Sequence, residues 1–122
     1  MKRTFMHLLG TSLLLGICLL PFAARADTLQ RIQDSQRFTI GFVPNYAPFS
    51  DGDQHTASGY TIELCQQVAE RLRQQLNLPD LQVRYQPVAI EEMLSAVQSG
   101  RIDILCSPVD ETFKRREQVS FS

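Results

Sequence analysis

The residues best suited to chemistry lie together near the carboxyl end of this 122-residue chain. A short apolar run, 102–105, is followed by a polar turn, and Thr112 then precedes a basic segment that contains Arg115 and Arg116. Backbone N–H groups in such a turn, with a guanidinium close behind them, can bind a carboxylate. We therefore expect an anion-binding wall in this segment, with one of the two arginines as its clamp.

The sequence offers little for catalysis or for metal binding. It contains no recognisable Ser/His/Asp set, Cys/His pair or phosphate-binding glycine loop. His55 is the only histidine after residue 26, and no CxxC or HxxxH spacing is present. We therefore expect a binding protein with no cofactor and no metal, rather than an enzyme.

Residues 1–26 have the pattern of a cleaved signal peptide. A basic start is followed by an apolar run over 8–20 that is too short to span a bilayer comfortably, and Ala24-Arg25-Ala26 supplies a small-x-small cleavage signal. An uncleaved membrane anchor is the alternative. The pattern predicts a periplasmic protein that starts at Asp27.

The composition of residues 27–122 is that of an ordinary globular domain, or part of one. Three of the 12 Lys and Arg residues lie in the signal peptide, which leaves nine against 13 Asp and Glu, a net charge of −4. Nucleic acid is therefore not expected as a partner. Cys65 and Cys106 would both reach an oxidising compartment, where they could form a disulfide or remain two buried free thiols.

Hydrophobic patterning after residue 27 alternates between strand and helix periods. A nearly continuous apolar run predicts a buried first strand, and the alternating second strand suits a sheet edge. The last helical turn should begin at Thr112, with Phe113 and Val119 as its apolar contacts. The other predicted elements are a strand at 38–43, a helix from Thr61 to about Asn77, a strand at 81–85, a helical stripe at 90–97 that Gly100 stops, and a strand at 102–105.

This βαβαβ order favours a parallel sheet with right-handed crossovers. If the most buried strand is central, the strand order is 2-1-3 and the winding reverses between strands one and three. Ligands bind outside the carboxyl ends of the strands at such a reversal. The loops after Val43 and Leu105 should therefore face one ligand.

Four segments, in this order, resemble bacterial extracytoplasmic solute-binding proteins of the polar amino-acid type. They are RFTIGFVPNYAPFS, GYTIELCQQVAERL, SGRIDILC and SPVDETFKRREQVSFS, and they cover nearly all of residues 37–122. The resemblance implies an α/β fold: a three-layer αβα lobe with a parallel sheet, the first half of a two-lobed periplasmic binding protein type II fold. Residues 27–122 would be a partial amino-terminal lobe. The implied function is extracytoplasmic binding of a small amino acid or related carboxylate and its delivery to the membrane permease of an ABC transporter.

The resemblance also assigns roles to individual residues. Tyr46 would pack over the ligand, and Arg115, rather than Arg116, would hold the ligand's α-carboxylate. The carbonyl of Pro108 and the side chain at position 110 would hold its ammonium group. The implied ligand-binding residues are Tyr46, Ser107, Pro108, Asp110, Thr112 and Arg115.

Two positions depart from the family pattern and affect the expected ligand. Asp110 replaces the commoner hydroxyl, so a carboxylate would sit beside the ligand's own carboxylate unless Arg115 compensates. Val43 stands where relatives for cationic amino acids often carry an acid, which disfavours a lysine- or arginine-type ligand. Two other functions remain open: the sensing lobe of a channel or sensor kinase, and a periplasmic enzyme of this fold, either a cyclic-acid dehydratase or a peptidoglycan-cleaving enzyme.

Overall fold

The computed structural model describes residues 28–122, so the predicted signal peptide lies outside the described residues. No helix within 28–122 is both long and apolar enough to cross a membrane. The elements are α1 (Thr28–Ser35), β1 (Arg37–Phe42), α2 (Tyr60–Gln75), β2 (Gln82–Pro87), a 3₁₀ turn (Ile90–Glu92), α3 (Met93–Gln98), β3 (Ile104–Leu105) and α4 (Phe113–Arg116).

The three strands form one parallel sheet in the order β2-β1-β3, which confirms the predicted topology. β1 pairs along its whole length with β2, from Arg37 opposite Gln82 to Phe42 opposite Pro87. β3 is short and pairs with β1 only at its carboxyl half. The carboxyl ends of β1 and β3 therefore lie side by side, and the loops that follow these two strands leave the sheet at the same edge.

Side chains alternate across β1 and build a separate apolar cluster on each face of the sheet. Phe38, Ile40 and Phe42 are buried on the face that packs against α2. Gly41 belongs to the opposite face, where a Cβ atom at this position would collide with Ile102. Ile102 itself is fully buried in the second cluster, with residues of α3. The glycine therefore allows the β3 side of the molecule to approach the central strand closely.

The strand ends differ from the prediction for identifiable reasons. β3 is shorter than the predicted 102–105 because the Thr39 N–H of β1 bonds the Asp103 carboxylate, 2.8 Å away, and not a backbone carbonyl on the β3 side. β2 begins after Leu81, whose N–H closes a turn on Leu78. At these two positions a side chain and a local turn replace regular strand pairing.

Two expectations about helices were incomplete or wrong. α1 was not predicted, because Ile32 is its only buried residue and its apolar stripe is short. Arg31 holds it in place by bonding the Gly100 carbonyl and pairing with Asp103.

Phe113 was expected as an apolar contact of α4, but its side chain is 88% exposed. α4 has only four residues, and Phe113 lies on its outer side.

We predict that Gly41→Ala lowers the free energy of unfolding by about 1–3 kcal/mol, the usual cost of overpacking a core. Urea unfolding would measure the change. The double variant Gly41→Ala/Ile102→Val removes the nearest Ile102 carbon and should recover part of the loss. Equal destabilisation in the single and double variants would contradict close packing as the cause.

Candidate ligand-binding site

The candidate site is built by two loops that leave the carboxyl ends of β1 and β3. We call residues 43–59 the first loop and residues 106–112 the last loop. The first loop contains a cis Ala47–Pro48 bond and is closed by hydrogen bonds between Tyr46 and Ser50, with the Tyr46 N–H 2.9 Å from the Ser50 carbonyl. Gly59 ends this loop with φ 121°, a conformation that suits glycine, and a Cβ there would collide with the Phe49 carbonyl.

A buried network of Val43, Ser50 and Ser107 joins the two loops. The Val43 N–H donates to Ser107 Oγ over 2.8 Å, and Ser107 Oγ lies 2.8 Å from Ser50 Oγ. Ser50 Oγ in turn donates to the Val43 carbonyl over 2.7 Å, and no part of Ser50 is exposed. The network therefore starts and ends on the same residue at the carboxyl end of the central strand.

Counting donors fixes the direction of every bond in this network. The Val43 N–H can only donate and its carbonyl can only accept. The Ser107 hydroxyl must then donate to Ser50, whose own proton goes to the carbonyl. Both serine protons are used, so Ser107, which was expected to line the ligand pocket, here binds one loop to the other.

A second set of contacts fixes the last loop to the start of α2. Cys65 and Cys106 form a disulfide with their Cα atoms 6.4 Å apart. The Thr61 hydroxyl lies 2.8 Å from the carbonyl oxygens of both Phe49 and Cys106. The disulfide closes 41 residues of chain, a constraint worth about 4 kcal/mol in the chain-entropy model. The last loop therefore starts from a covalently fixed point.

Arg115 is held across the end of the last loop by two hydrogen bonds. Its N–H bonds the Thr112 hydroxyl at 3.3 Å, and its Nη1 donates to the Asp110 carbonyl over 2.7 Å. That bond uses one of the five guanidinium donors. Arg116 differs: its exposed side chain pairs with Glu111 at 2.6 Å.

The Asp110 side chain takes no part in these contacts. Within residues 28–122 its carboxylate forms neither an ion pair nor a hydrogen bond, although its own carbonyl accepts from Arg115. Asp110, Pro108 and Thr112 are all exposed. An unpaired carboxylate on the last loop and a partly free guanidinium on α4 thus lie within five residues of each other in the chain.

Tyr46 supplies an aromatic surface on the first loop. Its side chain is 47% exposed, and its ring centroid lies 6.0 Å from that of Phe49. Phe49 is 40% exposed and belongs to neither buried cluster. Both rings are therefore available to contact a ligand.

The ligand-binding residues expected from the sequence fall into separate groups in the structure. Asp110, Thr112 and Arg115 are joined by hydrogen bonds, whereas Tyr46 shares none with them in the described part of the chain. The link between the loops runs instead through Ser50, which the sequence analysis missed. A single serine after Pro48-Phe49 looks like any polar loop residue, and only its burial distinguishes it.

An apolar cavity near the last loop is a different feature. It has a volume of about 430 Å³ and runs along the free edge of β3, between α2 and α3. Its lining includes Ser107, but neither Tyr46 nor Arg115. Between Thr28 and Ser122 no cluster of three or more His, Cys, Asp or Glu side chains could hold a metal ion.

The model of one protein family, bacterial extracellular solute-binding proteins, family 3, matches residues 38–122. The chain belongs to this family. Among curated relatives, the L-glutamate/L-aspartate-binding protein of Pseudomonas aeruginosa is 32% identical over 119 residues, which cover 94% of this chain and 39% of that protein. The L-cystine-binding protein TcyJ of Escherichia coli is 25% identical over 122 residues, 99% of this chain and 43% of that protein. This solute-binding chain thus spans about two fifths of the length of these relatives.

Solved structures agree with the architecture. The ancestral cationic amino acid solute-binding protein AncCDT-1 superposes with a TM-score of 0.67 at 28% identity, over 79% of this chain and 39% of that one. An arginine-bound domain 1 of TmArgBP gives a TM-score of 0.64 at 19% identity, over 77% of this chain and 68% of that domain, and shows the fold alone. The periplasmic binding protein type II fold expected from the sequence is confirmed.

We predict that Ser50→Ala lowers the free energy of unfolding by about 1–3 kcal/mol, because the Val43 carbonyl loses its donor and the Ser107 proton loses its acceptor. Urea unfolding would measure this. Ser95→Ala is the matched control, since exposed Ser95 also donates to a backbone carbonyl, at 3.0 Å. If both variants lost the same small amount, the buried network would not be the connection described above.

Proposed function

We propose that this chain forms one wall of a site that binds a small amino acid or related carboxylate outside the cytoplasm, for delivery to the membrane permease of an ABC transporter. The observation that carries the proposal is the contrast between two adjacent arginines. Arg115 is anchored over the last loop by the Asp110 carbonyl and keeps most of its donors free. Arg116 is neutralised by Glu111 on the exposed side.

The remaining residues fit a zwitterionic ligand. The Arg115 guanidinium would bind the ligand's carboxylate through two parallel hydrogen bonds, the geometry that arginine favours. The unpaired Asp110 carboxylate and the exposed Pro108 carbonyl would accept from the ligand's ammonium group. Tyr46 would pack on its apolar part. The family membership and the amino-acid-binding relatives support this reading.

In this proposal Ser107 and Thr112 act indirectly. Ser107 uses both its proton and an acceptor site to join the loops. Thr112 caps α4 by accepting from the Arg115 N–H. Each would position a neighbour that touches the ligand.

A second candidate function, catalysis, has one specific observation in its favour. A solved relative with 26% identity and a TM-score of 0.62 is described as an ancestral amino-acid-binding protein that was a precursor of cyclohexadienyl dehydratase. Binding sites of this kind have therefore been compatible with later catalysis. Turnover of a cyclohexadienyl acid by the full-length protein would favour this function over binding alone.

We predict that Arg115→Ala weakens amino-acid binding by the full-length protein at least 100-fold, because a ligand carboxylate loses its charged partner in a desolvated site. Calorimetry against a panel of L-glutamate, L-aspartate, L-cystine and L-histidine would measure it. Arg116→Ala is the matched control and should change the Kd less than threefold. Equal losses in both variants, or no binding of any panel member, would contradict the proposal.

The role of Asp110 has its own test. Asp110→Asn should weaken binding of the amino acid, because the ammonium group loses its countercharge. It should leave unchanged, or strengthen, binding of the matching dicarboxylic acid without the amino group. L-Glutamate and glutarate form the simplest such pair for calorimetry. A similar loss for both ligands would show that Asp110 does not face the ammonium group.

A further inference from the structure

A second concave surface, which we call the basic groove, lies at the start of β1 and along β2, and two residues of the first loop, Gln54 and His55, contribute to its lining. Its volume is about 490 Å³, and it is lined by Arg37, Thr39, Gln54, His55, Val83, Arg84, Tyr85, Gln86 and Arg101. Side-chain alternation places Arg37 and Thr39 on the sheet face opposite α2, the face that includes Gly41. Ile102 covers that face at Gly41 but does not line the groove. The groove therefore occupies the part of this sheet face that Ile102 leaves open within residues 28–122.

The lining is basic and contains no acidic residue. Arg101 is paired with Glu92 at 2.6 Å, so its charge is largely neutralised. Arg37 and Arg84 form no ion pair and no side-chain hydrogen bond with any residue between Thr28 and Ser122. Two unpaired guanidinium groups thus line one cavity of a chain whose predicted mature charge is −4.

The strand register brings these two arginines within reach of one small ligand. Thr39 lies directly opposite Arg84, and Arg37 is two residues before Thr39 on the same face. The spacings of a parallel sheet then place the Cα atoms of Arg37 and Arg84 about 8 Å apart. Side chains as long as arginine can span this separation, so both guanidinium groups could reach one anion.

We propose that the basic groove binds a dianionic phosphate group, as inorganic phosphate or a small phosphomonoester. Each guanidinium can donate two parallel hydrogen bonds to phosphate oxygens. The Thr39 hydroxyl and the Gln86 amide add neutral donors, and two arginines match two negative charges where a carboxylate would match one. The concave surface suits a single group better than the flat surface of a bilayer.

This site is separate from the proposed amino-acid site. Arg37 is the first residue of β1, whereas the first loop begins after its last residue, so the two ends of the strand are about 16 Å apart. None of the residues expected to contact the amino acid lines the groove. Occupation of one site should therefore leave the other open.

The proposal is tested by a calorimetric titration of the full-length protein with inorganic phosphate at low ionic strength. We expect Arg37→Ala and Arg84→Ala each to weaken phosphate binding at least tenfold. Arg71→Ala is the matched control, because Arg71 is exposed on α2 and lies outside the groove. This substitution removes the same charge and should change phosphate binding less than twofold. Thermal unfolding of each variant would verify that it folds, as expected for exposed arginines.

Four outcomes would overturn the proposal. They are no phosphate binding by the wild-type protein, equal losses in all three variants, unchanged binding in the two groove variants, and competition between phosphate and the amino-acid ligand. Sedimentation with phosphatidylglycerol vesicles adds a further arm. Arginine-dependent binding to vesicles without binding of phosphate would assign the groove to a membrane surface and would also contradict the proposal.

Discussion

The candidate site depends on the buried hydrogen bonds among Val43, Ser50 and Ser107. Each of the two serine hydroxyls has one proton to give, and the network closes only when both loops are in place. Leaving any member without a partner costs about 1–3 kcal/mol at a buried position. The two loops are therefore coupled through the end of the central strand, even though their exposed tips do not bond each other.

The framework beneath these loops is fixed from two directions. Gly41 allows Ile102 to pack closely on the central strand, which brings the β3 side against β1. The Cys65–Cys106 disulfide then ties the beginning of the last loop to α2. Rigid elements position site residues more accurately than loops alone. Arg115 and Asp110 stand a few residues beyond these fixed points, where they remain free to meet a ligand.

Much of the fold followed from the pattern of apolar residues, because β1 is a nearly continuous buried run and α2 buries residues at helical spacing, Ile62, Cys65 and Ala69. The run 38–43 had to be covered on both faces, which made β1 central and predicted the order 2-1-3. The same reasoning could not find α1, which buries only Ile32 and is held by polar contacts of Arg31. It also misjudged Phe113, since a four-residue helix need not bury its apolar residue.

The site was less accessible to sequence reasoning because hydrogen-bond partners cannot be read from spacing. The choice between Arg115 and Arg116 rested on resemblance, and their different partners, the Asp110 carbonyl and Glu111, appear only in the structure. Ser50 gave no sign of its burial. Polar residues in a loop have the same pattern whether they face a ligand, the solvent or each other.

The most direct test of the account is to follow backbone amide signals by NMR while the full-length protein is titrated with its amino-acid ligand. If the loops bind as a coupled unit, the amides of Val43, Ser50, Ser107 and Arg115 will shift together along one binding curve. The account would be contradicted by shifts confined to the surroundings of Tyr46, with Val43 and Ser107 unchanged at saturation. It would equally be contradicted by shifts that appear only in the basic groove.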